Sequence, residues 1–179
     1  MDFEQSFSFL LQWEGAVSDH PDDRGGLTVY GLSERTHPEA CAAAFVAYKA
    51  GDEAGAKAIA QEVYRAEYWQ KCRCPELDPR LAAAVFDAAV NLGTRGAGIC
   101  LQKTINRLGG GVAPDGAIGP LTVAAAKTLL DALAWRQFNL ERLAYYAEIA
   151  QKRPGQRAFL LGWINRTLAL GDLIGQGET

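Results

Sequence analysis

The sequence has 179 residues, a net charge of −3 and no block of clustered Lys and Arg. Nucleic-acid binding wants a basic stripe or patch, so that class is set aside. No run of eighteen apolar residues occurs, so no membrane span is expected. Histidine is scarce, at His20 and His37, and the four cysteines (Cys41, Cys72, Cys74 and Cys100) do not have zinc-ribbon spacing. Cys72 and Cys74 flank only Arg73, too close for an easy mutual disulfide, so free thiols are expected. No Cys–His pairing suggests a thiol nucleophile, and no metal or organic cofactor is expected. Internal repeats are absent, as is any low-complexity tract beyond alanine enrichment.

What is present fits an ordinary globule: 49% of residues are apolar and 22% charged. The length suits one compact domain or two small lobes. Phe3, Phe7 and Leu10 recur at the spacing of one helix face, and the next position on that face is Glu14. A carboxyl group carried into low dielectric holds its proton more readily, and a protonated carboxyl can act as a general acid. Gly15 stops the helix, an Asp-rich loop follows, and Gly25-Gly26 turns the chain into Leu27–Leu32, which reads as a strand or hairpin arm. Glu14, Asp23 and Thr28 are thus offered by a helix end, a loop and a strand. Glycosidases use two carboxyls about the scissile bond, or one carboxyl and a positioned water. Glu14 suits the acid, Asp23 the second carboxylate, and the Thr28 hydroxyl can hold a water.

The stretch from Glu14 to Gly31 resembles glycoside hydrolase family 108, the secretion-activator-type N-acetylmuramidases. Glu14, Gly15, Pro21, Asp22, Asp23, Gly25, Gly26, Thr28, Tyr30 and Gly31 match that family's pattern without a gap. Ala16, Val17, Asp19, His20 and Arg24 depart from it. The Glu-Asp-Thr order also resembles phage-type lysozymes. The pattern implies Asp23 as second carboxylate, with Asp22 and Asp19 as rivals. Three further strings resemble family motifs: Tyr64-Arg65-Ala66-Glu67-Tyr68-Trp69, Phe86-Asp87-Ala88-Ala89-Val90-Asn91-Leu92-Gly93, and Phe159 to Arg166. Asp115-Gly116-Ala117-Ile118-Gly119-Pro120-Leu121-Thr122 resembles peptidoglycan-binding domains; as a turn signal it reads first as structural.

Along the remaining chain, a helix is expected over Glu53–Lys71, another over Leu81–Leu92 and a third over Ala97–Leu108. Two more run Asp131–Lys152, burying Phe138, Tyr145 and Ile149, and Gln156–Leu173, burying Phe159, Trp163, Ile164 and Leu168. Asp87 and Asn91 are the only strongly polar residues of an otherwise apolar helix, spaced i, i+4. They either join a structural hydrogen-bond network or face the substrate. The expected fold is mainly α with an α+β, lysozyme-like character and one small β element near residues 27–32. A catalytic lobe would span 1–95 and a peptidoglycan-binding-like lobe 96–179, with the glycan strand held in a cleft between lobes.

The resemblance implies a peptidoglycan hydrolase cleaving the β-1,4 bond between N-acetylmuramic acid and N-acetylglucosamine, for cell-wall lysis. Tyr30, Asn91, Asp87 and Trp163 would contact the sugars, with no metal involved. A lytic transglycosylase needing Glu14 alone, and a non-catalytic peptidoglycan-binding secretion accessory, are the alternatives. The expected partner is the glycan strand, with a cognate inhibitor or export machinery as further candidates. The acidic start, Met1-Asp2-Phe3-Glu4, lacks the basic and apolar regions of a secretory signal. Synthesis in the cytoplasm and action in the periplasm or on the wall, after holin- or secretion-system-dependent export, are therefore expected.

Overall fold

The computed structural model describes residues 1–18, 26–129 and 131–176. Among these the chain forms seven α-helices and one three-stranded antiparallel sheet, a mainly helical fold with a small β element. It falls into two compact units, Glu4–Glu67 and Met1–Phe3 with Tyr68–Thr179.

In the first unit, helix α1 (Phe3–Leu11) leads into the strands β1 (Val17–Ser18), β2 (Thr28–Val29) and β3 (Leu32–Ser33). The sheet is a meander in register Val17↔Val29, Ser18↔Thr28, Thr28↔Ser33 and Val29↔Leu32. Tyr30-Gly31 is the whole β2–β3 loop, and both residues have positive φ, 46° and 80°. Two positive φ values define the tight hairpin turn whose twist matches its strands. Helix α2 (Pro38–Lys49) starts at a proline, whose missing N–H costs nothing there. Helix α3 (Glu53–Tyr64) is capped by Asp52, which accepts from the Gly55 amide at 2.8 Å. The sequence predicts one helix through Lys71. Instead α-helical bonding ends at Tyr64, and a π-helical turn, Arg65–Gln70, follows. The wider turn lets Tyr64 and Trp69, five residues apart, both be buried.

The second unit is built on α4 (Pro79–Arg107), capped by Asp78 and buried almost without interruption from Leu81 to Ala89. Gly93 breaks it with φ 76° and ψ 160°. Phe3 packs edge-on against Trp69 and Phe86, at 5.4 and 5.6 Å between ring centres. Short α5 (Pro120–Ala126) and long α6 (Asp131–Lys152) and α7 (Arg157–Gly175) complete the unit. Gln102 ties α4 to the Asp115–Ala117 turn: its side chain donates to Asp115 at 2.8 Å and accepts from the Gly116 amide at 2.7 Å. A methyl group on Gly98 would collide with the Gly116 carbonyl, so this turn is seated directly on α4.

The buried faces of α6 and α7 differ from the expected ones. Phe138, Arg142, Tyr146 and Ala150 point inward on α6, whereas Tyr145 and Ile149 are half-buried. On α7 the buried residues are Arg166, Thr167, Leu170 and Ile174, while Phe159 is 56% exposed and Leu168 54%. Apolarity alone chose the wrong stripe because both helices are rotated to bring an arginine to Asp87 of α4. A buried carboxylate left without cations would cost more than exposing two apolar side chains.

All four cysteines are free and buried. Burial pushes the Cys72 and Cys100 thiols up to about 12 and Cys74 well above the usual thiol value, so they pack rather than react. Among the described residues no helix is long and apolar enough to cross a membrane.

Candidate active site

Helix α1 ends before Glu14. Its last amides tighten into a turn, with Trp13 and Glu14 both donating to the Leu10 carbonyl, at 3.0 and 3.2 Å. Phe3, Phe7 and Leu10 are buried as the stripe predicts, but Glu14, one step beyond the helix, is half-buried rather than interior. The sheet then returns to it. The Tyr30 amide donates to the Ala16 carbonyl at 2.9 Å, which holds the tight hairpin turn against the residues just after Glu14. A Cβ built on Gly31 would lie 3.2 Å from Glu14 Cγ and 3.3 Å from Cδ, and would overlap the Tyr64 hydroxyl. Gly31 is therefore the gap in which the Glu14 carboxyl arm and the Tyr64 phenol meet. Thr28 lies on the central strand of the same sheet, half-buried between Ser18 and Ser33.

Tyr30 is placed differently from the expected sugar contact. It is 4% exposed, and its ring faces Tyr48 at 6.2 Å and the Lys57 ammonium at 5.6 Å. A bulky residue with φ 46° holds an uncommon conformation, tolerated here because the ring is buried. Tyr30 thus fixes the turn and has little face left for a ligand. Asp23 and its rivals Asp19 and Asp22 lie outside the described residues.

Asp87, expected beside the sugar, is also interior, at 2% exposure. Arg142 Nη2 donates to one carboxylate oxygen at 2.6 Å and Arg166 Nε to the other at 2.9 Å. Burial pushes this carboxyl upward, but the Arg142 and then the Arg166 charge outweigh it, and the net displacement is below the usual aspartate value. Of the two roles open to Asp87, the geometry is that of a structural network. The network continues outward: Arg142 Nε donates to the Tyr146 hydroxyl at 2.8 Å, and Asn91 Nδ2 donates to the same oxygen at 3.1 Å. Tyr146 in turn stacks on Trp163 at 4.9 Å, with the planes 25° apart. Asn91 and Trp163 both line an open cavity of about 490 Å³, which Tyr145, Lys152, Arg153 and Gln156 also border. The buried ion cluster therefore acts as the foundation for an amide and an indole at a cavity wall.

The model of the glycosyl hydrolase 108 family matches residues 7–93, and the model named predicted peptidoglycan domain matches residues 97–168. The chain thus carries a glycosyl hydrolase 108 region followed by a predicted peptidoglycan domain. Among solved structures, SagA of Brucella abortus is similar at 26% identity, with 94% of each chain covered and a TM-score of 0.62. No curated protein matches the chain. The two regions in this order make it a glycoside hydrolase that acts on peptidoglycan.

Within the family 108 region, sequence reasoning passed over Tyr64, whose phenol shares the Gly31 gap with Glu14. The glycine after an aromatic in a short strand–turn–strand was the available signal. It also passed over Arg142 and Tyr146, and gave Arg166 no role. An aspartate in an all-apolar helix demands cations, and an arginine between apolar neighbours on a later helix is where to seek them. Gly31→Ala tests the gap. We expect a loss of about 1–3 kcal/mol in urea unfolding, from the positive φ and the overlap. We also expect wall lysis to fall about a hundredfold as Glu14 is displaced. Unchanged lysis in this variant would show that activity does not depend on the gap.

Proposed function

We propose that the protein is an N-acetylmuramidase, hydrolysing the β-1,4 bond between N-acetylmuramic acid and N-acetylglucosamine and thereby lysing cell walls. Glu14 protonates the leaving oxygen. Asp23 stabilises the oxocarbenium-like transition state or activates the attacking water, with Asp22 and Asp19 as alternatives, and Thr28 holds that water. Asn91 and Trp163 contact the sugars, while Tyr30 and Asp87 act as positioning residues. Inversion of configuration follows if the two carboxyls are about 6.5–9.5 Å apart, leaving room for water.

The observation that carries this reading is the seating of Glu14: a half-buried carboxyl fixed by a helix end on one side and a glycine turn on the other, within the family 108 region. Such a group is held still, keeps contact with solvent and can reach a ligand, as a general acid must. The test is a mass-resolved digest of purified sacculi by the full chain. Muropeptides with reducing muramic acid ends are expected. Anhydromuramic ends would assign a lytic transglycosylase instead, since that reaction uses the sugar's own hydroxyl in place of water.

A further inference from the structure

The cavity lined by Trp163 and Asn91 is lined by charged side chains as well. Its aromatic and amide wall is rigid, because Trp163 rests on Tyr146 and Asn91 is bonded to the Tyr146 hydroxyl. The cavity takes in the corner between α6 and α7, where Lys152 closes α6 and Arg153 precedes the short helix Pro154–Gln156. Arg153 is exposed, and its guanidinium has no ion-pair partner among the described residues. The one acid on the rim, Glu148, is shared by Lys103 at 3.5 Å and Lys152 at 3.4 Å. Those two lysines hold Glu148 below the usual glutamate value, Lys103 contributing most, so it stays an anion with its charge already answered. Glu148, Lys152 and Arg153 line the same cavity as the Trp163 indole and the Asn91 amide, and leave it a net positive charge, with Lys103 outside it also answering Glu148.

A neutral sugar needs the indole and the amide but has no use for a surplus guanidinium. A planar, doubly donating cation is suited to a carboxylate. Peptidoglycan carries carboxylates on the peptides attached to its muramic acid residues, whereas an unsubstituted N-acetylglucosamine polymer has none. We propose that the α6–α7 corner, through Arg153 with Lys152, is a carboxylate subsite that recognises the peptide portion of the glycan strand while Trp163 and Asn91 hold the adjoining sugar. This deepens the muramidase reading and rests on it for the substrate: the chain selects peptide-substituted strands over bare ones.

The experiment measures binding apart from cleavage. Disaccharide-tetrapeptide from sacculi, with carboxylates free or converted to methylamides, is titrated by calorimetry into the Glu14→Gln chain. It is also titrated into the same chain carrying Lys152→Gln and Arg153→Gln. The free-acid form is expected to bind about tenfold more tightly than the methylamide, the scale of one charged hydrogen-bonded contact. That preference is expected to vanish in the chain lacking both cations. Both replacements are at exposed positions, so an unchanged thermal midpoint is expected and verifies folding. Equal binding of the two forms, or a preference that survives without Lys152 and Arg153, overturns the subsite. So does absence of binding when the unsubstituted chain still solubilises sacculi, and in that case the hydrolase reading stands alone. A clear free-acid preference in a protein that leaves sacculi intact supports the subsite and removes the hydrolase reading instead.

Discussion

Glu14→Gln is expected to reduce lysis of purified sacculi by about a hundred- to ten-thousandfold, the range that a positioned general acid supplies. The amide keeps the size of the side chain and its place over Gly31, but has no proton to give to a departing sugar oxygen. Because the group is half-buried rather than fully enclosed, replacing a carboxyl by a carboxamide removes little packing. The thermal midpoint should therefore stay the same or rise slightly, since functional groups are commonly kept at some cost in stability. Lysis and stability must be followed together, by turbidity of sacculi and by thermal unfolding of the same preparation. Loss of lysis with an intact fold is the signature of a chemical role. Lysis at the unsubstituted rate would remove Glu14 from the mechanism and favour a non-catalytic wall-binding accessory.

Reading the sequence recovered the elements whose signals are local. The helix expected from Glu53 begins there, behind the Asp52 cap. The Glu14-to-Gly31 pattern was legible because its residues lie within one short stretch of sequence. The pairing of Gly31 with Tyr64 was not, since the two are far apart in sequence and only the folded chain makes them neighbours. Tyr30 was read as a residue that helps seat the sugar; its positive φ and buried ring, both invisible in sequence, give it a place in the hairpin turn. The faces of α6 and α7 were misread for a related reason. Hydrophobic periodicity ranks positions by apolarity, and here two arginines and a tyrosine are among the buried ones. A buried anion had reassigned which stripe counts as core, and only Asp87 itself hinted at it.

Asp87→Asn is the variant from which we expect the largest loss of stability. The carboxylate is the one anion between two buried guanidiniums, 3% exposed against 0% for Arg142 and 7% for Arg166. The cluster already holds one more positive charge than negative, and Arg142 Nη1 has no hydrogen-bond partner among the described residues. Removing the anion leaves two cations facing each other in low dielectric, a change that costs about 3–5 kcal/mol. For a chain of this length that is a fall of roughly 10 °C in Tm. The double variant Asp87→Asn with Arg142→Met should lose less than the sum of the single losses, because the second change removes a charge that the first left uncompensated. Acid titration provides an independent check. The Asp87 carboxyl is held below its unfolded value, so its contribution is full above the unfolded pKa and disappears as pH falls through the folded one. The unsubstituted chain should thus lose stability progressively below about pH 4, where an ordinary aspartate begins to protonate. In the Asn variant this part of the acid sensitivity should be missing, so the two stability curves converge toward low pH. Curves that remain parallel across that range would mean the arginines do not depend on Asp87. The support of Asn91 and Trp163 through Tyr146 would then need another origin.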